Sequence, residues 1–130
     1  MQFMTKEWVE AYTSAWNNDD VIEKKLKRFS SVFKYVVSDR KDVAPIIVKI
    51  EKGVCVSYGT NEEFSDKEVE YVISADASDW RKVFDEETGA KEAMRLDGFE
   101  FKGPKLKALS NKGGLKRGVE LMAEMKGVKV

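Results

Sequence analysis

Reading apolar against polar positions along the 130-residue chain divides it into alternating helical and extended segments. Thr5 is placed to cap a first helix, because Trp8, Val9, Tyr12, Ala15 and Trp16 follow at the three-and-four spacing of one helix face. Asn17 and Asn18 close it. Asp20 with Glu23 forms a capping-box variant that opens a second helix, striped by Ile22, Leu26 and Phe29. The period then changes to two. Phe33, Tyr35 and Val37 form one alternating run, Ile46, Val48 and Ile50 a second, and Val54, Val56 and Tyr58 a third. Lys52-Gly53 between the last two is short enough for a tight antiparallel hairpin. Residues 38–45 read as a polar loop, and 60–66 as a longer acidic link that crosses the sheet. A fourth strand is expected from about Val69 to Ser74.

Helical spacing returns after Asp76 or Ser78, either of which caps a helix with the inward stripe Trp80, Val83 and Phe84. Gly89 breaks it. Ala90, Ala93 and Met94 mark another helix, closed by Asp97-Gly98. Phe99 and Phe101 alternate with Glu100 and Lys102 as a fifth strand. Pro104 suits a first helical turn, with Leu106 and Leu109 following. The last helix carries Leu115, Gly118, Val119, Met122 and Met125 on one face, with Lys116, Arg117, Glu120 and Glu124 opposite. Its three glycines, Gly113, Gly114 and Gly118, each cost up to about 1 kcal/mol against alanine in a helix. Such a helix must draw its order from docking on something apolar. The predicted class is α+β, a single domain spanning 1–130 with one mixed, mainly antiparallel five-stranded sheet covered by helices.

Charge changes the picture mainly by exclusion. Lys+Arg and Asp+Glu balance at 23 each, so no global field favours a polyanion and no nucleic-acid partner is expected. The crowded Lys24, Lys25, Lys27 and Arg28 suit the end of the second helix as a solvated cluster. The chain has no histidine and one cysteine, which removes the commonest general base and every usual zinc site. Cys55, between two valines, reads as a buried inert thiol. The pairs Glu62-Glu63 and Asp85-Glu86-Glu87 read as surface carboxylates with ordinary pKa values. Gly113-Gly114 before Lys116 and Arg117 faintly suggests a phosphate loop, without a preceding strand or Walker spacing. The start of the chain lacks a secretory pattern and its end is no peroxisomal tripeptide, so a cytoplasmic location is expected.

Two stretches, APIIVKIEKGVCVSYG and SADASDWRKVFDEETGAKEAMRLDGFEFKGPKLKAL, carry a resemblance to the sterol carrier protein type-2 family of lipid-transfer domains. It rests on the acidic-capped helix with Trp80, the Ala93-Met94 helix, the strand bracketed by Gly98 and Gly103, and Leu106 and Leu109 after it. It spans roughly Asp20 to Lys126, which leaves the Trp8–Trp16 helix as an addition. What the resemblance implies is a helical layer enclosing a hydrophobic tunnel for acyl chains, sterols or similar ligands. The residues it would place on the tunnel wall are Trp80, Val83, Phe84, Ala93, Met94, Phe99, Phe101, Leu106, Leu109, Leu115, Val119, Met122 and Met125. The same apolar stripes serve equally to plug an ordinary core, and methionine suits either role.

The function expected is lipid binding and transfer without catalysis and without a cofactor or metal. The partner is an apolar small molecule (a fatty acid, an acyl-CoA or a sterol-like ligand), and transient membrane contact is compatible with that. Either a monomer or a homodimer fits. The alternative is an accessory or dimerising module of a lipid-metabolising enzyme, with the Trp8–Trp16 helix supplying the interface.

Overall fold

The computed structural model of the chain describes residues 1–85 and 98–130. Within them, β1 (Ser31–Val37), β2 (Ile46–Glu51), β3 (Val54–Gly59), β4 (Tyr71–Ala75) and β5 (Glu100–Lys102) form one sheet in the order β3-β2-β1-β4-β5. β1 and β4 run parallel and the other three pairs are antiparallel. Helices α1 (Lys6–Asn17), α2 (Asp20–Lys25), α3 (Ala77–Val83), α4 (Lys105–Ser110) and α5 (Lys112–Glu124) complete the α+β arrangement that the periodicity predicts. The expected Ala90–Met94 helix falls outside the described residues.

Local chemistry sets the turns. Lys52 and Gly53 both have positive φ, 49° and 81°, as a two-residue type I′ hairpin requires. A Cβ on Gly53 would stand 2.6 Å from the Leu26 carbonyl oxygen, so only glycine fits. The alternation of β3 does not survive intact. A register shift at Lys49/Ile50 pairs Ile50 with Cys55 and Lys49 with Ser57, leaving Val56 as the extra, bulged residue. Val54 and Val56 are exposed, and Cys55 packs against the core, in line with the buried thiol expected from the sequence.

The link from β3 to β4 passes from one side of the sheet's centre to the other, as expected of a crossing segment. Its Asp66 pairs with Lys34 of β1 at 3.8 Å, which places it over the face opposite the helices. Lys34 lies beside Ile47 in the sheet, and Ile47 and the link's Phe64 are both buried yet separate from the main core.

The main core lies on the helical face. Phe33, Tyr35 and Val37 supply it from β1, while Trp8, Val9, Tyr12 and Trp16 supply it from α1. Thus α1 presents no tryptophan surface to a partner, because Trp8 and Trp16 are core. The six-residue α2 is too short to stand alone. It is held by burying Ile22 and Leu26, at about 1.5–3 kcal/mol each, and Leu26→Ala would cost about 2–5 kcal/mol. Its cap is Asp19, one residue before the expected Asp20: the Asp19 carboxylate accepts from the Ile22 N–H at 3.0 Å. The same carboxylate accepts from the Arg117 guanidinium of α5 at 2.9 Å, which lowers its pKa and ties the two helices together.

Candidate functional site

Between the helical face of the sheet and the helices lies a cavity of about 430 Å³. Its floor is built by the parallel pair β1 and β4, where the register sets Phe33 beside Tyr71 and Tyr35 beside Ile73. From α1 come Tyr12 and Trp16, and from α3 Trp80 and Val83. Asp76 fixes α3 by accepting the Asp79 N–H at 2.8 Å, and the Trp80 indole donates to the Val36 carbonyl at 2.9 Å. With its one polar atom satisfied at the sheet, the Trp80 ring is free to present carbon to the interior. Leu115, Gly118, Val119 and Met122 of α5 close the opposite side.

The glycines of α5 are explained here, and they form no phosphate loop because they lie inside a helix. A Cβ on Gly114 would fall 2.3 Å from Leu26 Cδ2, and one on Gly118 would fall 2.5 Å from Trp16 Cζ3. Both glycines let α5 approach α1 and α2 closely, which leaves its Leu115–Val119–Met122 side as a wall instead of a plug.

Residues that line the cavity and are also exposed mark its mouth: Phe101, Gly103, Pro104, Lys105, Lys112 and Lys116. Gly103, at φ 148°, is pressed against the Tyr71 ring, whose hydroxyl donates to the Pro104 carbonyl at 2.6 Å. The wall itself is overwhelmingly hydrocarbon. Burial pushes the Tyr12 and Tyr35 phenols upward, so both stay protonated.

Of the residues expected on the tunnel wall, the structure brings together Trp80, Val83, Phe99, Phe101, Leu115, Val119 and Met122. It does not place Phe84 there; that ring packs 5.1 Å from Phe3. Met125 is half-buried at the end of α5, away from the wall. Leu106 and Leu109 are corrections, being 82% and 67% exposed. Their spacing reads as an inward stripe, but α4 is turned by Lys107, whose ammonium donates to the Ser30 carbonyl at 2.6 Å and to Glu70 at 2.7 Å. Lys107 and Ala108 face inward, so the two leucines face out. Ala93 and Met94 lie outside the described residues.

Among the lining residues that sequence reasoning missed are Tyr12 and Trp16 of α1, Phe33 and Tyr35 of β1, and Tyr71 and Ile73 of β4. Their inward periodicity was legible, but nothing in it separates a cavity floor from a packed core. Chemistry elsewhere is sparse. Burial pushes the Cys55 thiol up to about 12, which keeps it a poor nucleophile. Glu63 departs from the ordinary value expected, held lower by the N–H and hydroxyl of Thr60. Among the described residues no cluster could hold a metal ion, and no helix is long and apolar enough to cross a membrane.

An α+β sheet with a hydrocarbon-lined cavity under its helices is the class of structure seen here, and solved structures share its fold. The crystal structure of sterol carrier protein 2 aligns with a TM-score of 0.71 at 18% identity, covering 95% of this chain and 98% of that one. The solution structure of a conserved hypothetical protein from Thermus thermophilus gives 0.70 at 18% identity, covering 97% and 91%. This chain therefore has the sterol carrier protein 2 fold. No protein-family model matches the sequence, and no curated protein matches it.

Proposed function

We propose that this protein binds, and carries between sites, a lipid whose apolar chain occupies the cavity between β1, β4 and α5. The observation that carries the reading is the cavity itself: about 430 Å³ walled almost wholly by hydrocarbon. That volume lies within the range of roughly 300–1,000 Å³ used for small-molecule sites. Withdrawing a sixteen-carbon chain from water offers on the order of 10 kcal/mol before ordering costs. No charged anchor is needed for useful affinity. The likeness in fold to sterol carrier protein 2 supports the same reading.

The contacts proposed for the chain are Trp80, Val83, Phe99, Leu115, Val119 and Met122, together with Tyr35, Tyr71 and Ile73 from the floor. Lys105, Lys112 and Lys116 stand at the mouth, where a carboxylate or phosphate head would emerge. Fatty acids and acyl-CoA fit this layout better than an uncharged sterol. The reading is of binding without catalysis, since the described wall residues offer no nucleophile beside a base and the chain has no histidine.

Titration with cis-parinaric acid, read by its fluorescence and by tryptophan emission, tests the proposal. Saturation near one equivalent at micromolar ligand is expected. Absence of saturable binding, together with native mass spectra showing no co-purified lipid, would sink it.

A further inference from the structure

Around the cavity mouth the surface combines two features. The first is exposed hydrocarbon: Leu106, Leu109 and Phe101 are 82%, 67% and 49% exposed within nine consecutive residues. The second is charge. Residues 101–116 contain five lysines and no acidic residue, although the whole chain is neutral. Lys102 pairs with Glu100 and Lys107 with Glu70, while Lys105, Lys112 and Lys116 have no partner among the described residues. Lys25 of α2 extends the basic rim, its ammonium lying beside Gly113.

We propose that this face, formed by α4 and the start of α5, docks on an anionic bilayer surface. Leu106 and Leu109 enter the headgroup–acyl boundary, and the free lysines meet lipid phosphates. Inward Lys107 and Ala108 fix the roll of α4, so its leucines are held outward, largely exposed. Leucines flanked by lysines on one short surface are the composition that interfacial segments use. Charge complementarity selects the occupant. A second copy docking symmetrically would set this lysine cluster against itself, whereas an anionic leaflet attracts each lysine. Because Phe101, Pro104 and Lys105 belong to both the patch and the cavity mouth, docking would open the cavity directly onto lipid. The inference rests on the carrier reading for its purpose, though not for the docking itself.

The test is flotation of the full chain with phosphatidylcholine vesicles and with two-to-one phosphatidylcholine–phosphatidylglycerol vesicles. Binding is expected to the second kind only, and to weaken as salt rises. Lys105→Gln and Lys112→Gln should each weaken it by about five-fold. L106S/L109S should weaken it by about ten-fold or more, while cis-parinaric binding in vesicle-free buffer stays unchanged, since neither leucine lines the cavity. Equal flotation of L106S/L109S and the parent, or no preference for the anionic vesicles, overturns the proposal. So does a dimer in sedimentation velocity that L106S/L109S dissolves, which would assign the face to a second copy. A parent chain that floats with the anionic vesicles yet binds no cis-parinaric acid overturns the carrier reading alone.

Discussion

Tyr12 of α1 donates its phenolic hydrogen bond to the carbonyl oxygen of Gly118 in α5, 2.9 Å away and 106 positions along the chain. The glycine that accepts this bond is the one whose missing side chain leaves room for Trp16. One position therefore couples the first helix to the last through both a polar contact and a close approach. Tyr12, Trp16 and Gly118 all face the cavity, so the helix packing that shapes its wall also sets its size.

Two alanine substitutions in α5 should shift stability in opposite directions. At Gly118 a methyl group meets a rigid buried indole at 2.5 Å. Overpacking of about 1–3 kcal/mol then exceeds the helix-propensity gain. At Gly113 the nearest atom is the flexible Lys25 ammonium, at 3.1 Å. Propensity should win there, with stabilisation of up to about 1 kcal/mol. Urea unfolding of both variants reads the signs, and a stable Gly118→Ala would refute close packing as the glycine's role.

Asp19 should make stability depend on pH in one direction. Its hydrogen bonds from Arg117 depress its folded pKa below the unfolded value of about 3.9. Its contribution is therefore complete above that value and disappears as pH falls through the folded pKa. Asp19→Asn, which keeps the cap and removes the charge, should cost up to about 1 kcal/mol near neutral pH, and the gap from the parent should close in acid. A gap that persists unchanged to about pH 2 would show that the ion pair contributes nothing.

Aspartate substitutions should separate the cavity wall from the solid core. Val119 lines the cavity, where an introduced carboxylate can hydrate, so Val119→Asp should fold and lose cis-parinaric affinity by about ten-fold or more. Val48 is buried within β2, and Val48→Asp should destabilise the fold by about 3–5 kcal/mol. Circular dichroism melts beside the ligand titration decide this. Equal unfolding by both changes would make Val119 ordinary core.

Amide hydrogen exchange should find α5 a wall fixed at its first half. Asp19–Arg117, Leu26 against Gly114 and Tyr12–Gly118 all anchor residues 114–118 without any ligand. Protection there should be high in lipid-free protein, with a ligand-dependent gain confined to residues 119–124. Low protection across residues 112–124 in the empty state would instead make the helix a lid.

The sequence by itself determined the α+β class, the five strands, the Lys52-Gly53 hairpin and the helix of Trp80 and Val83, capped at Asp76 or Ser78, because period, caps and turn chemistry are local; the structure chose Asp76. It also carried the resemblance whose fold the solved structures share. Tertiary structure decided the rest. Whether Val56 faces in or out depended on a bulge against β2, and whether Leu106 faces the cavity depended on Lys107 finding Glu70, 37 residues away. Phe33, Tyr35 and Tyr71 carry the same inward pattern whether they meet side chains or empty space. A cavity is a property of what does not pack, and it exists here because Gly114 and Gly118 seat α5 on Leu26 and Trp16, leaving space above the sheet.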